Sequence, residues 1–117
     1  MDLKDYVMNL LAEEARKADL TLLSQPDGKD TLRLRLARDS STWPVASILF
    51  SAGGSVLVCP WPDYKTRFSG GAVRSDGNVV YLLDDLTPLL RDTRSVFREV
   101  ERKLGRAGAP PADELKG

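Results

Sequence analysis

The sequence predicts an α+β domain: an N-terminal helix, an antiparallel sheet of about five or six strands, and a long C-terminal helix packed on the sheet. Three observations carry this. Residues 2–18 and 84–104 both show apolar side chains at spacings of three and four. The stretch between them breaks into short apolar runs with period-2 alternation. Turn signals such as Pro26-Asp27-Gly28-Lys29 and Asp76-Gly77 separate those runs, and such hairpin chemistry pairs neighbouring strands antiparallel.

In the first helix, Asp2 caps the start and Asp5 adds negative charge to the first turn. Leu3, Val7, Leu10, Leu11 and Ala15 form the buried stripe, with Lys4, Glu13, Arg16 and Lys17 facing away and Asp19 marking the exit. Leu20–Ser24 is the first strand. Thr31–Arg38 is the second, with Leu32, Leu34 and Leu36 on one face and Arg33 and Arg35 on the other. Residues 39–44 read as a polar loop. Val45–Phe50 is a continuous apolar run, as expected of a central strand. Ala52-Gly53-Gly54 turns the chain into Val56–Cys59, which stops at Pro60 and Pro62 because proline cannot donate to a ladder. Thr66–Arg74 reads as a strand broken at Gly70-Gly71, and Val79–Leu83 as the last strand.

The second helix spans residues 84–104, with Pro88 suited to its first turn. Its buried stripe is Leu86, Leu89, Leu90, Thr93, Phe97, Val100 and Leu104. Glu99 and Lys103 make an i,i+4 pair, and Gly105 is the expected C-cap. Residues 1–105 make one domain; 106–117, rich in Ala, Gly and Pro, read as a loose tail.

The chemistry is sparse. The chain has 117 residues, no histidine, one cysteine, and 17 basic against 17 acidic residues. Without histidine, imidazole triads and His-based metal sites are closed. Cys59 has no activating neighbour in sequence and reads as a structural thiol. The glycine pairs 53–54 and 70–71 lack the spacing of phosphate-binding loops. Asp84-Asp85 reads as helix N-terminus electrostatics. No catalysis, no cofactor and no metal are therefore expected. A lone cysteine suits a reducing cytoplasm, and no leader or membrane-spanning segment is read, so a cytoplasmic location without membrane contact is expected.

The candidate site is aromatic and basic: Trp43, Trp61, Tyr64, Lys65, Arg67 and Phe68 in proline-stiffened segments, with Arg33 and Arg35 on the second strand. The bland alternative is that the aromatics complete the core and the arginines are ordinary solvated residues. Two functions compete. One is a small protein-binding module: an inhibitor, adaptor or chaperone-like protein of the kind that phages and other mobile elements carry, by analogy of class only. The other is a single-strand nucleic-acid binder. Residues 70–104 resemble the strand–strand–helix finish of the Whirly group, over about a third of the chain and without a diagnostic motif. That resemblance implies a curved antiparallel sheet followed by a helix; independently of it, Arg33, Arg35, Arg67 and Arg74 would make a stacking platform for single strands if they share an open face with Trp61, Tyr64 and Phe68. An apolar open face would instead favour protein binding. A free edge strand would favour a homodimer.

Overall fold

The computed structural model describes residues 3–51 and 53–108, with side chains as far as Leu104. The Asp2 cap and most of the expected tail lie outside the described residues. The elements are α1 (Leu3–Lys17), β1 (Thr21–Pro26), β2 (Thr31–Arg38), β3 (Ser41–Phe50), β4 (Ser55–Pro60), a 3-10 turn at Pro62–Tyr64, β5 (Ala72–Val73), β6 (Val79–Leu82) and α2 (Thr87–Gly108). The six strands form one antiparallel sheet in the order β1-β2-β3-β4-β6-β5. The expected architecture is the one observed.

Both helices cover the same face. Val7, Leu11 and Ala15 of α1 and Leu89, Val96, Phe97 and Val100 of α2 share one core with Leu34, Leu36, Ile48, Val56, Val58, Val79 and Tyr81 of the sheet. Glu14 of α1 is 7% exposed and takes Arg94 of α2 in two hydrogen bonds, 2.9 and 3.3 Å, which locks the helices side by side.

Several boundaries differ from expectation. Residues 39–44 are not a loop. Asp39 adopts φ +55°, which closes a two-residue turn and starts β3 at Ser41. β3 therefore contains Pro44, and a bulge accommodates it. Leu34 pairs with Ala46 while Arg35 pairs with Pro44, leaving Val45 as the extra residue. The Val45 carbonyl accepts the Trp61 N–H at 2.8 Å.

Only Ala72–Val73 of the expected 66–74 strand pairs with the sheet. The Tyr64–Phe68 segment turns inward instead, with Tyr64 fully buried and Phe68 3% exposed. At Gly71 any Cβ would lie 2.3 Å from the Val80 carbonyl oxygen, so only glycine allows this close approach.

Leu3 belongs to the expected stripe of α1 but is exposed, and Glu14 is buried in that helix instead. α2 continues past Gly105 to Gly108, so Gly105 is not its cap. Asp85 Oδ1 accepts the Thr87 N–H at 3.1 Å, which gives the acidic pair its helix-start role. Glu99 does not pair with Lys103. It binds Arg67 at 3.0 Å and also Arg102, while Lys103 reaches Asp63 at 3.6 Å.

Candidate interaction surface

Among the described residues no element covers the face of the sheet opposite the helices. Strand alternation and register put Thr31, Leu49, Leu57, Val80 and Ala72 in one row across it. Leu49, Leu57 and Val80 are only partly buried, and Leu82, one step along β6, is 61% exposed. Leu23 on β1 adds a further apolar side chain at 41% exposure. β3, β4 and β6 thus each place an apolar side chain on the open face, while both helices lie on the other.

The next row is Gln25, Arg33, Ser47 and Cys59, followed by Leu23, Arg35 and Pro44. Here Arg33, Arg35, Pro44, Ser47, Cys59 and Trp61 line a shallow groove of about 430 Å³. Arg33 reaches Asp27 in the β1–β2 turn at 2.9 Å, and Arg35 donates to Thr42 Oγ1 at 3.0 Å. No Asp or Glu occupies a strand position on this face. Burial raises the Cys59 thiol above its ordinary pKa, Asp76 adds to the effect, and Arg74 partly offsets it. A thiol held protonated is a poor nucleophile.

The structure divides the candidate residues into two groups. Arg33, Arg35 and Trp61 stand together on the open face, and Trp61 is 46% exposed. Trp43, Tyr64 and Phe68 belong to the other side. The β3 bulge turns Trp43 toward the helices, where it packs against the core. Lys103 Nζ sits 5.7 Å from the Trp43 ring centre and 5.0 Å from that of Tyr64, a cation–π cap over the bottom of α2. The Tyr64 hydroxyl is buried and makes no hydrogen bond of ordinary geometry among the described residues, the Trp43 indole being its nearest polar influence. Burial, aided by Asp63, pushes its pKa up to about 12, against a smaller opposing effect of the Trp43 indole.

Arg67 is held by Glu99, and Lys65 lies along the β5–β6 hairpin with Nζ 3.5 Å from the Asp76 carbonyl. Arg74 pairs with Asp76 at 3.3 Å. Of the six aromatic and basic residues of positions 43–68, Trp61 shares a surface with Arg33 and Arg35, and Trp43, Tyr64, Lys65, Arg67 and Phe68 do not.

Two features escaped the sequence reading. The apolar row is one, although a signal was present: three strands rich in apolar residues on both faces exceed what two helices on one side can cover. Asp92 is the other. It is 6% exposed, and its Oδ2 accepts the Tyr81 hydroxyl at 2.6 Å, the Gly70 N–H at 2.6 Å and the Ser69 N–H at 3.2 Å. This knot pins the 69–71 segment to α2 and β6. It spends the carboxylate and the tyrosine on structure, and burial, reinforced by Asp92, holds the Tyr81 hydroxyl far above its ordinary pKa.

Among the described residues no group of three or more Cys, Asp or Glu side chains is placed to hold a metal, and no helix is long and apolar enough to cross a membrane. No protein-family model matches the chain, and no curated protein or solved structure matches it.

Proposed function

We propose that this chain is a small non-enzymatic protein-binding module that uses the open face of its sheet. The observation that carries the reading is the uncovered apolar row Leu49–Leu57–Val80, extended by Leu82. Contiguous exposed apolar surface on a small domain marks contact with another macromolecule. At one end Arg33 is paired with Asp27, but its neighbour Arg35 is bound to the Thr42 hydroxyl and meets no carboxylate among the described residues, which favours a partner that offers an apolar segment flanked by a carboxylate. Trp61 beside them supplies the rigid aromatic anchor typical of such contacts.

The single-strand reading has less support. Its platform needs Tyr64 and Phe68 exposed and Arg67 and Arg74 turned outward, but the two aromatics are core residues and both arginines are engaged by carboxylates.

The test is affinity capture from the native host, with and without nuclease, using the wild-type chain and a Leu57→Glu, Leu82→Glu chain. A protein held by the wild type regardless of nuclease, and lost from the folded double variant, supports the proposal. Capture abolished by nuclease, or unchanged in the double variant, refutes it.

A further inference from the structure

The two edges of the sheet are built differently. β5 is two residues long and runs into Arg74 and Asp76, a short, charged edge of the kind that resists strand addition. β1 is six residues long, carries no charge from Leu20 to Pro26, and is exposed along nearly its whole length. Ser24 and Pro26 are exposed although they lie on the helix-side face, so α1 does not overhang that half of the edge, while Leu22 packs its side chain against the core.

The hydrogen-bond parity of β1 follows from its turn. Asp27 N–H donates to the Thr31 carbonyl, so residues 25, 23 and 21 also spend their main-chain groups on β2. Leu22 and Ser24 therefore point N–H and C=O outward. Pro26 has no N–H, and the Leu20 N–H is already given to the Ala15 carbonyl. The free edge thus offers two complete donor–acceptor residues, two apart.

We infer that β1 is a self-pairing edge: a second copy of this chain docks antiparallel along it, with the two-fold axis at Leu23. In that register Leu22 of each copy faces Ser24 of the other, and four main-chain hydrogen bonds use every outward group of both residues. Shifting the axis to Leu22 or Ser24 leaves a Ser24 or Leu22 carbonyl opposite a residue without an available N–H. At the axis the two Leu23 side chains meet as a non-hydrogen-bonded pair, the closer of the two antiparallel spacings, on the open face. The two sheets become one, and the apolar rows of both copies lie on the same side.

The full chain is examined by sedimentation over a concentration series. A reversible monomer–dimer equilibrium is expected. Ser24→Pro removes only an outward N–H, so the circular dichroism of the monomer is retained and self-association weakens roughly thirtyfold, the loss of two main-chain hydrogen bonds. In a Cys59→Ser chain, Leu23→Cys is expected to form an oxidised cross-linked dimer, because a facing pair brings the Cα atoms within disulfide range. Thr21→Cys and Gln25→Cys, each opposite the other residue type, are not. A chain monomeric at every concentration, a dimer indifferent to Ser24→Pro, or equal cross-linking at all three positions would overturn the inference. If Ser24→Pro fails to fold, the cross-linking pattern decides alone.

Discussion

Replacing Asp92 by alanine tests whether one buried carboxylate organises the join between β5, β6 and α2. Oδ2 alone accepts all three hydrogen bonds, while Oδ1 faces the Arg91 guanidinium at 3.8 Å. Tyr81 is 2% exposed, so its abandoned hydroxyl costs about 1–3 kcal/mol. The Ser69 and Gly70 N–H groups lie nearer solvent, and losing each bond costs about 0.5–1.5 kcal/mol. Asp92→Ala is therefore expected to destabilise by about 2–6 kcal/mol. Asp92→Asn can set its amide oxygen at the Oδ2 position and keep the three contacts without charge assistance, for roughly half that loss. Tyr81→Phe removes a single donor and costs about 1 kcal/mol, and less in the Asp92→Ala background because the two act through one bond. Urea unfolding followed by far-UV circular dichroism reads the order Ala, then Asn, then Phe, with unchanged m-values. An Asp92→Ala chain within about 0.5 kcal/mol of wild type, the range of an ordinary surface substitution, would show that the carboxylate does not organise this join. So would alanine and asparagine variants of equal stability.

Other consequences are as direct. Gly71→Ala forces a Cβ against the Val80 carbonyl and should cost about 1–3 kcal/mol, whereas Gly53→Ala, whose nearest neighbour is 3.8 Å away, should stay within about 0.5 kcal/mol by the same unfolding measurement. The Arg94 hydrogen bonds hold the Glu14 carboxyl below its ordinary pKa against the effect of burial. A depressed folded-state pKa adds stability above the ordinary carboxylate range that is lost as pH falls through the folded value, so Glu14→Gln should flatten the acid limb of the stability–pH curve; an unchanged limb would show that the clamp contributes nothing. Cys59 should react with iodoacetamide more slowly than a free thiol at neutral pH, and more slowly still when a partner covers the groove beside Trp61. Labelling at the free-thiol rate would contradict its burial.

The elements and their order are legible from the residues alone, because these depend on local chemistry. A 3.6-residue period specified α1 and α2 wherever they came to lie. Gly28 at φ +89° and Gly77 at φ +86° took the left-handed positions that their hairpins require, which imposed antiparallel neighbours on β1–β2 and β5–β6. The alternation of Leu32, Leu34 and Leu36 with Arg33 and Arg35 gave β2 its two faces, and the arginines stand on the uncovered one.

Which side each aromatic took depends on contacts between distant parts of the chain. Counting back from Ile48 by twos puts Trp43 on the open face. The bulge at Val45 reverses that parity and sends Trp43 under Lys103. Pro44 was a local hint, since a proline inside a strand favours a bulge, but the reversal itself is set by pairing with β2. Tyr64 and Phe68 are buried in a segment whose far end is held by Asp92, 22 residues beyond Gly70 in the chain, through the 69–70 backbone. Placing both helices on one face left Leu49, Leu57 and Val80 on the other. Periodicity specifies that a strand has two faces, but only the packing of distant elements specifies which of them meets water.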